Sequence, residues 1–139
     1  MQKVILDTNV VVSALIQKSF PFLILQDLYL ERKIELCISE KLMIEYLEVL
    51  NREKFNRFPD FKAKAEIILV DVVNNATFFK PKKKVKKLRD IDDNMILELA
   101  AEAKADFIVT GNTRDFTLSK FKKTLIVSPM VYWATYKPE

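Results

Sequence analysis

Four acids stand out for the chemistry they could do together. Asp7 ends the apolar run Val4-Ile5-Leu6, Glu45 lies inside an amphipathic segment, Asp93 heads another, and Asp115 follows the run Phe107-Ile108-Val109-Thr110 by way of Gly111 and Asn112. Carboxylates gathered at one place repel one another and persist only with cations to balance them. Oxygen donors without histidine or cysteine suit a hard divalent ion, Mg2+ or Mn2+. Such ions serve phosphodiester hydrolysis, one activating water and a second, if present, stabilising the leaving oxygen.

What is missing narrows the field as much. The chain has no histidine, so Ser-His and Cys-His nucleophile pairs and histidine-containing zinc sites are excluded. Its single glycine, Gly111, rules out GxGxxG and glycine-rich phosphate loops. Cys37, the one cysteine, cannot form an internal disulfide, and its neighbours Leu36 and Ile38 suggest a buried thiol in a reduced, cytoplasmic protein. No apolar run approaches the ~20 residues that span a bilayer. A net charge of +4 is compatible with a nucleic-acid partner without requiring one.

The acids need a scaffold that brings them to one edge. Val4–Asp7 reads as a buried parallel strand ending on an acid, and ligands in open α/β sheets sit just beyond the carboxyl ends of such strands. Val10 to Ile16 predicts a short helix with Asn9 as N-cap, and Ser19-Phe20-Pro21 starts a second that runs to about Glu31. Ile34–Ile38 alternates as a strand, and Ser39 caps a helix from Glu40 to about Leu50. Glu45 lies within that helix's stripe of Leu42, Tyr46, Val49 and Leu50. It is either a site residue or an acid at the stripe's edge that reaches solvent or pairs with Lys41 or Arg52. A break at Phe58-Pro59 precedes a helix from Asp60 to about Asn74, with Ile67, Ile68, Val72 and Val73 as apolar contacts. A short strand follows at 76–79.

In the next helix Ile96, Leu99, Ala100 and Ala103 form a buried stripe. Asp93 precedes Ile96 by three and Ala100 by seven and so belongs to the inward face, whereas Asp92 suits a capping role. Ala105–Thr110 predicts a parallel strand beside the first, Thr124–Val127 a last strand, and Ser128-Pro129 the start of a terminal helix. The alternation gives one domain over 1–139: a three-layer α/β/α sandwich around a mostly parallel sheet of four or five strands. Lys80 to Arg89 is strongly cationic. Lys82, Lys83, Lys84, Lys86, Lys87 and Arg89 either bind RNA phosphates or form a solvated loop.

Four segments in order, LDTNVV at 6–11, SEKLMIEYLEVL at 39–50, RDIDDNMILELA at 89–100 and IVTGNTRDF at 108–116, resemble the PIN-domain family, specifically the VapC-type toxins of prokaryotic toxin–antitoxin pairs. The resemblance covers nearly the whole chain. It implies catalytic acids at Asp7, Glu45 and Asp93, metal ligands at those three and Asp115, and support from Thr8, Asn9, Thr110 and Asn112. It also implies Mg2+- or Mn2+-dependent cleavage of RNA, a homodimer and a cognate antitoxin. Asn112 stands where an aspartate is common in the family, which leaves a non-catalytic module that binds RNA or an antitoxin as an alternative. Asp7-Thr8-Asn9-Val10-Val11 also approaches the DxDx[TV] motif of haloacid dehalogenase-like phosphatases, but Asn9 cannot act as the general acid/base that motif requires.

Overall fold

In a computed structural model of the protein, residues 1–86, 94–111 and 119–139 are described in full, together with the backbone of 91–93. The order is β1 (Lys3–Leu6), α1 (Thr8–Ile16), α2 (Phe20–Leu23) continuing into a π-helical stretch (Ile24–Tyr29), β2 (Glu35–Ile38), α3 (Glu40–Leu50) and a 3-10 turn (Glu53–Arg57). Then come α4 (Phe61–Asn75), β3 (Thr77–Phe78), α5 (Ile91–Ala103), β4 (Phe107–Val109), β5 (Lys120–Phe121), β6 (Thr124–Val127) and α6 (Pro129–Val131), which passes into a second π-helical stretch (Tyr132–Tyr136).

The strands lie in the order β3-β2-β1-β4-β6-β5. Every pairing is parallel except β5 with β6, a hairpin whose two-residue loop places Lys122 at a φ of 52°. The sheet therefore has six strands rather than four or five, the extra one being this antiparallel edge. β1 is central, with Val4 opposite both Leu36 and Phe107. Its residues Val4, Ile5 and Leu6 are essentially inaccessible to water, as expected for a strand covered by helices on both faces.

α5 packs on β1 and β2, while α1 meets α2, α3 and α4. The stripe of α5 is buried as expected at Ile96, Leu99, Ala100 and Ala103. In α4 the inward face is Phe61, Ala65, Ile68, Leu69 and Val72, whereas Ile67 and Val73 point outward. Ser39 Oγ accepts the Leu42 N–H at 3.2 Å and caps α3. α1 departs from expectation: it begins at Thr8 with Asp7 as N-cap, so Asn9 lies inside the helix.

Among the described residues no single helix is long and apolar enough to cross a membrane. Residues 8–16 and 20–29 pass that test only as a pair bent by 99°. Their apolar side chains Val10, Val11, Ala14, Leu15, Ile24, Leu25 and Leu28 belong to the core. Cys37 is buried in β2, and burial pushes its thiol up to about 12, so it stays protonated and unreactive at neutral pH.

Candidate active site

β1 and β4 run side by side and release their last residues together at the carboxyl edge. The Asp7 N–H donates to Val109 O at 3.0 Å, and the Thr110 N–H donates to Val127 O at 3.0 Å. This ladder sets Asp7 beside Thr110, two polar residues that are 7% and 0% exposed. Burying a carboxylate is costly unless its oxygens find partners. Asp7 Oδ1 accepts the Thr8 N–H at 2.8 Å, the bond that also caps α1. Asp7 Oδ2 accepts Thr110 Oγ1–H at 2.7 Å and, more weakly, Asn9 Nδ2 at 3.4 Å. These described donors are neutral, and they orient the carboxylate.

Glu45 reaches the same place from α3. Thr8 Oγ1 donates to Glu45 Oε2, so one threonine touches both acids, Asp7 through its backbone and Glu45 through its hydroxyl. Glu45 is half-buried, and Arg52, one cation the sequence offered it, pairs instead with Glu48 at 3.6 Å. The Thr8 hydroxyl thus links Glu45 to the Asp7 end of β1. Outside it lies a cleft of about 290 Å3 bordered by Lys41, Ile44, Glu45, Glu48 and Met95.

Tyr46, beside Glu45 in the chain, is fully buried, and its hydroxyl donates to Leu6 O, tying α3 to the last turn of β1. Burial, with the charges of Asp7 and Glu45 nearby, raises the Tyr46 phenol well above its ordinary value. It is therefore a neutral strut. The apolar stripe revealed that Tyr46 would be inside, but not that its hydroxyl would brace the strand beneath the acid.

Asn9 is exposed and makes a second link, its Oδ1 accepting the Gly111 N–H at 3.1 Å. That contact explains the chain's only glycine. No glycine takes a positive φ here, but a Cβ at Gly111 would lie 3.3 Å from Asn9 Oδ1. Close approach to Asn9, rather than a left-handed turn, is what a side chain here would meet.

The structure thus brings together Asp7, Thr8, Asn9, Glu45 and Thr110. Asp93 falls in the first turn of α5, which packs on β1, but its side chain lies outside the described residues, as do Asn112, Asp115, Lys87 and Arg89. Among the described residues no three acids, cysteines or histidines converge. Asn94, next to Asp93, is a buried polar residue absent from the sequence-based set, at 6% exposure. Its place next to Asp93, two residues before Ile96 of the buried stripe, is the sequence signal that could have marked it.

Residues 3–114 match the family model described as PIN domain. The chain belongs to the PIN-domain family. Membership removes the dehalogenase-like phosphatase from consideration. No curated protein matches. Among solved structures, one chain of the crystal structure of VapBC2 from Rickettsia felis bound to a DNA fragment from their promoter superposes with a TM-score of 0.57 at 14% identity. The match covers 91% of this chain and 98% of that one. At that identity the likeness concerns the fold, and it agrees with the three-layer PIN architecture described above.

Proposed function

We propose that this PIN domain is a divalent-metal-dependent endoribonuclease and the toxin of a toxin–antitoxin pair. The observation that carries the reading is the joining of Asp7 and Glu45 through Thr8 at the carboxyl edge of β1, in a chain of PIN family. The donor set fits a hard cation: two carboxylates with hydroxyl and amide oxygens around them, and neither sulfur nor imidazole. Asp7, Glu45 and Asp93 would hold Mg2+ or Mn2+, with Asp115 as the fourth acid. When bound, the ion supplies an activated water and offsets charge on the phosphate.

The chain's own part in the reaction is mainly positional. Thr110 and the Thr8 N–H engage both oxygens of Asp7, so the carboxylate keeps a constant orientation. Thr8 Oγ1–H sets the rotamer of Glu45, and Tyr46 holds Leu6, the residue that carries Asp7, against α3. Asn9 links this constellation to Gly111, where the segment bearing Asn112 and Asp115 departs. The ordering is done in advance, which lowers the reorganisation needed when charge develops on the phosphate.

The partners follow from the same reading. The structural match to a chain of a toxin–antitoxin complex supports an antitoxin. Self-association to a dimer is implied by the resemblance to VapC-type toxins and is checked by light scattering.

Purified protein is expected to cut RNA when Mg2+ or Mn2+ is added, and EDTA is expected to stop it. RNA that stays intact in both metals while still binding the protein would favour the non-catalytic module.

A further inference from the structure

The cationic stretch that follows β3 is held in place. The Lys82 N–H donates to Glu102 at 3.2 Å and the Val85 N–H donates to Glu98 at 3.0 Å. Glu98 and Glu102 are one turn apart on α5 and therefore neighbours on its surface. They bind the backbone of the stretch and leave its ammonium groups outward. Lys80, Lys82, Lys83, Lys84 and Lys86 are all exposed, and among the described residues none of them enters an ion pair.

Between this strap and the start of α3 runs a cleft of about 220 Å3. Lysines stand on both banks, Lys41 on α3 and Lys80, Lys82, Lys83 and Lys84 on the strap; they outnumber the acids of the lining, Glu40 and Glu98, and the half-buried Phe79 and Met95 supply an apolar surface between them. Lys41 and Met95 also border the cleft that contains Glu45, so the two clefts adjoin. Cations along two banks suit phosphates, and an apolar, aromatic floor suits the face of a base that is not stacked on a neighbour. In an A-form duplex base faces are stacked away, and only single strands can present one.

We propose that this cleft is the track of a single RNA strand, which the lysines hold by its phosphates while an unpaired base rests on Phe79 and Met95, and which leads to Glu45. Glu98 and Glu102 are positioning residues that hold the strap in register. The inference rests on the ribonuclease reading for its destination, but the binding it describes needs no cleavage.

The test is anisotropy of a labelled oligouridylate and of an RNA duplex of equal length, in EDTA, across a range of KCl. The single strand is expected to bind at least about tenfold tighter than the duplex, with Phe79→Leu erasing most of that preference. Replacing Lys80, Lys82, Lys83 and Lys84 by serine should flatten the salt slope by about 0.7 per lysine that contacts a phosphate. The Glu98→Ala, Glu102→Ala double variant separates a built track from a diffuse positive field. It removes two negative charges, so a diffuse field predicts tighter binding, whereas a strap set free predicts binding weakened about tenfold and rescued by Gln at both positions. Circular dichroism checks that each variant is folded. An unchanged slope in the lysine variant, equal affinity for the duplex, or tighter binding by the alanine pair overturns the proposal. Predicted binding without cleavage in Mg2+ or Mn2+ supports the track and defeats the ribonuclease reading. Cleavage by a lysine variant with unaltered KM overturns the track alone.

Discussion

At the amino end of the parallel strands, Asp106 accepts the Lys3 N–H at 2.9 Å and pairs with Lys123 at 3.5 Å, with its side chain still 41% exposed. At the carboxyl end, Asp7 is 7% exposed, and its described donors, Thr8, Thr110 and Asn9, are neutral. Both acids touch the same two central strands, but Asp106 is largely open to solvent and Asp7 is buried. An exposed pair of that kind contributes little to stability, typically under about 1 kcal/mol. The buried acid has its orientation fixed by hydroxyl, amide and backbone donors. The two acids therefore differ in burial and in their described donors, not in lying at a strand end.

Exchanging acids for amides at the two ends should break the symmetry sharply. Glu45→Gln is expected to lower RNA cleavage about 100-fold or more while Asp106→Asn changes it less than about twofold, read as initial rates on one labelled RNA. Equal losses would mean that the carboxyl edge has no special standing. Thr8→Val keeps the shape of the side chain but removes the hydroxyl that touches Glu45. Cleavage should fall about tenfold and return largely with Thr8→Ser, a pattern that mere packing would not produce.

Smaller effects sharpen the same contrast. Gly111→Ala adds a Cβ at 3.3 Å from Asn9 Oδ1, so Asn9 must give way by a few tenths of an ångström. A loss of about threefold in cleavage, with Tm nearly unchanged, is the expected result. Far from the site, Arg32 makes a bidentate pair with Asp71 at 3.0 and 2.6 Å and holds that carboxyl below its ordinary 3.8. A folded-state value that is lowered stabilises the protein above the unfolded value and ceases to do so as pH falls through the folded one. The gap in Tm between wild type and Asp71→Asn should thus be full at neutral pH and close as pH drops below about 4, with cleavage at neutral pH unaffected. A gap that widens in acid would reverse that assignment.

Much of this was visible in the residues because burial and helical period act locally. The opening strand, the stripe of α5, the Ser39 cap and the presence of Glu45 within an apolar face all follow from alternation and 3.6-residue spacing. What escaped depends on contacts distant in sequence or on backbone states that ordinary residues rarely reveal. β5 turns into β6 through Lys122 and Lys123, with neither Gly nor Asn to announce a hairpin. With a single glycine, the chain also places Arg32, Asp60 and Lys104 at positive φ, each a conformation that costs about 1 kcal/mol or more. The N-cap of α1 was assigned to Asn9 when Asp7 holds it. Either residue type caps well, and only the register of β1 against β4 decides between them. Likewise Ile67 and Val73 suit a core by type and face outward by phase.

In the function proposed above, Asp7 helps to hold a divalent cation at the carboxyl edge and RNA cleavage depends on it. The most direct measurement compares wild type and Asp7→Asn on one labelled single-stranded RNA in Mn2+, with thermal melts alongside. Asparagine can still accept the Thr8 N–H and cap α1, so the fold and Tm should be retained. The account predicts cleavage by wild type and at least about a 100-fold loss in the variant. Equal cleavage by the two proteins, in a variant that melts like wild type, would contradict it.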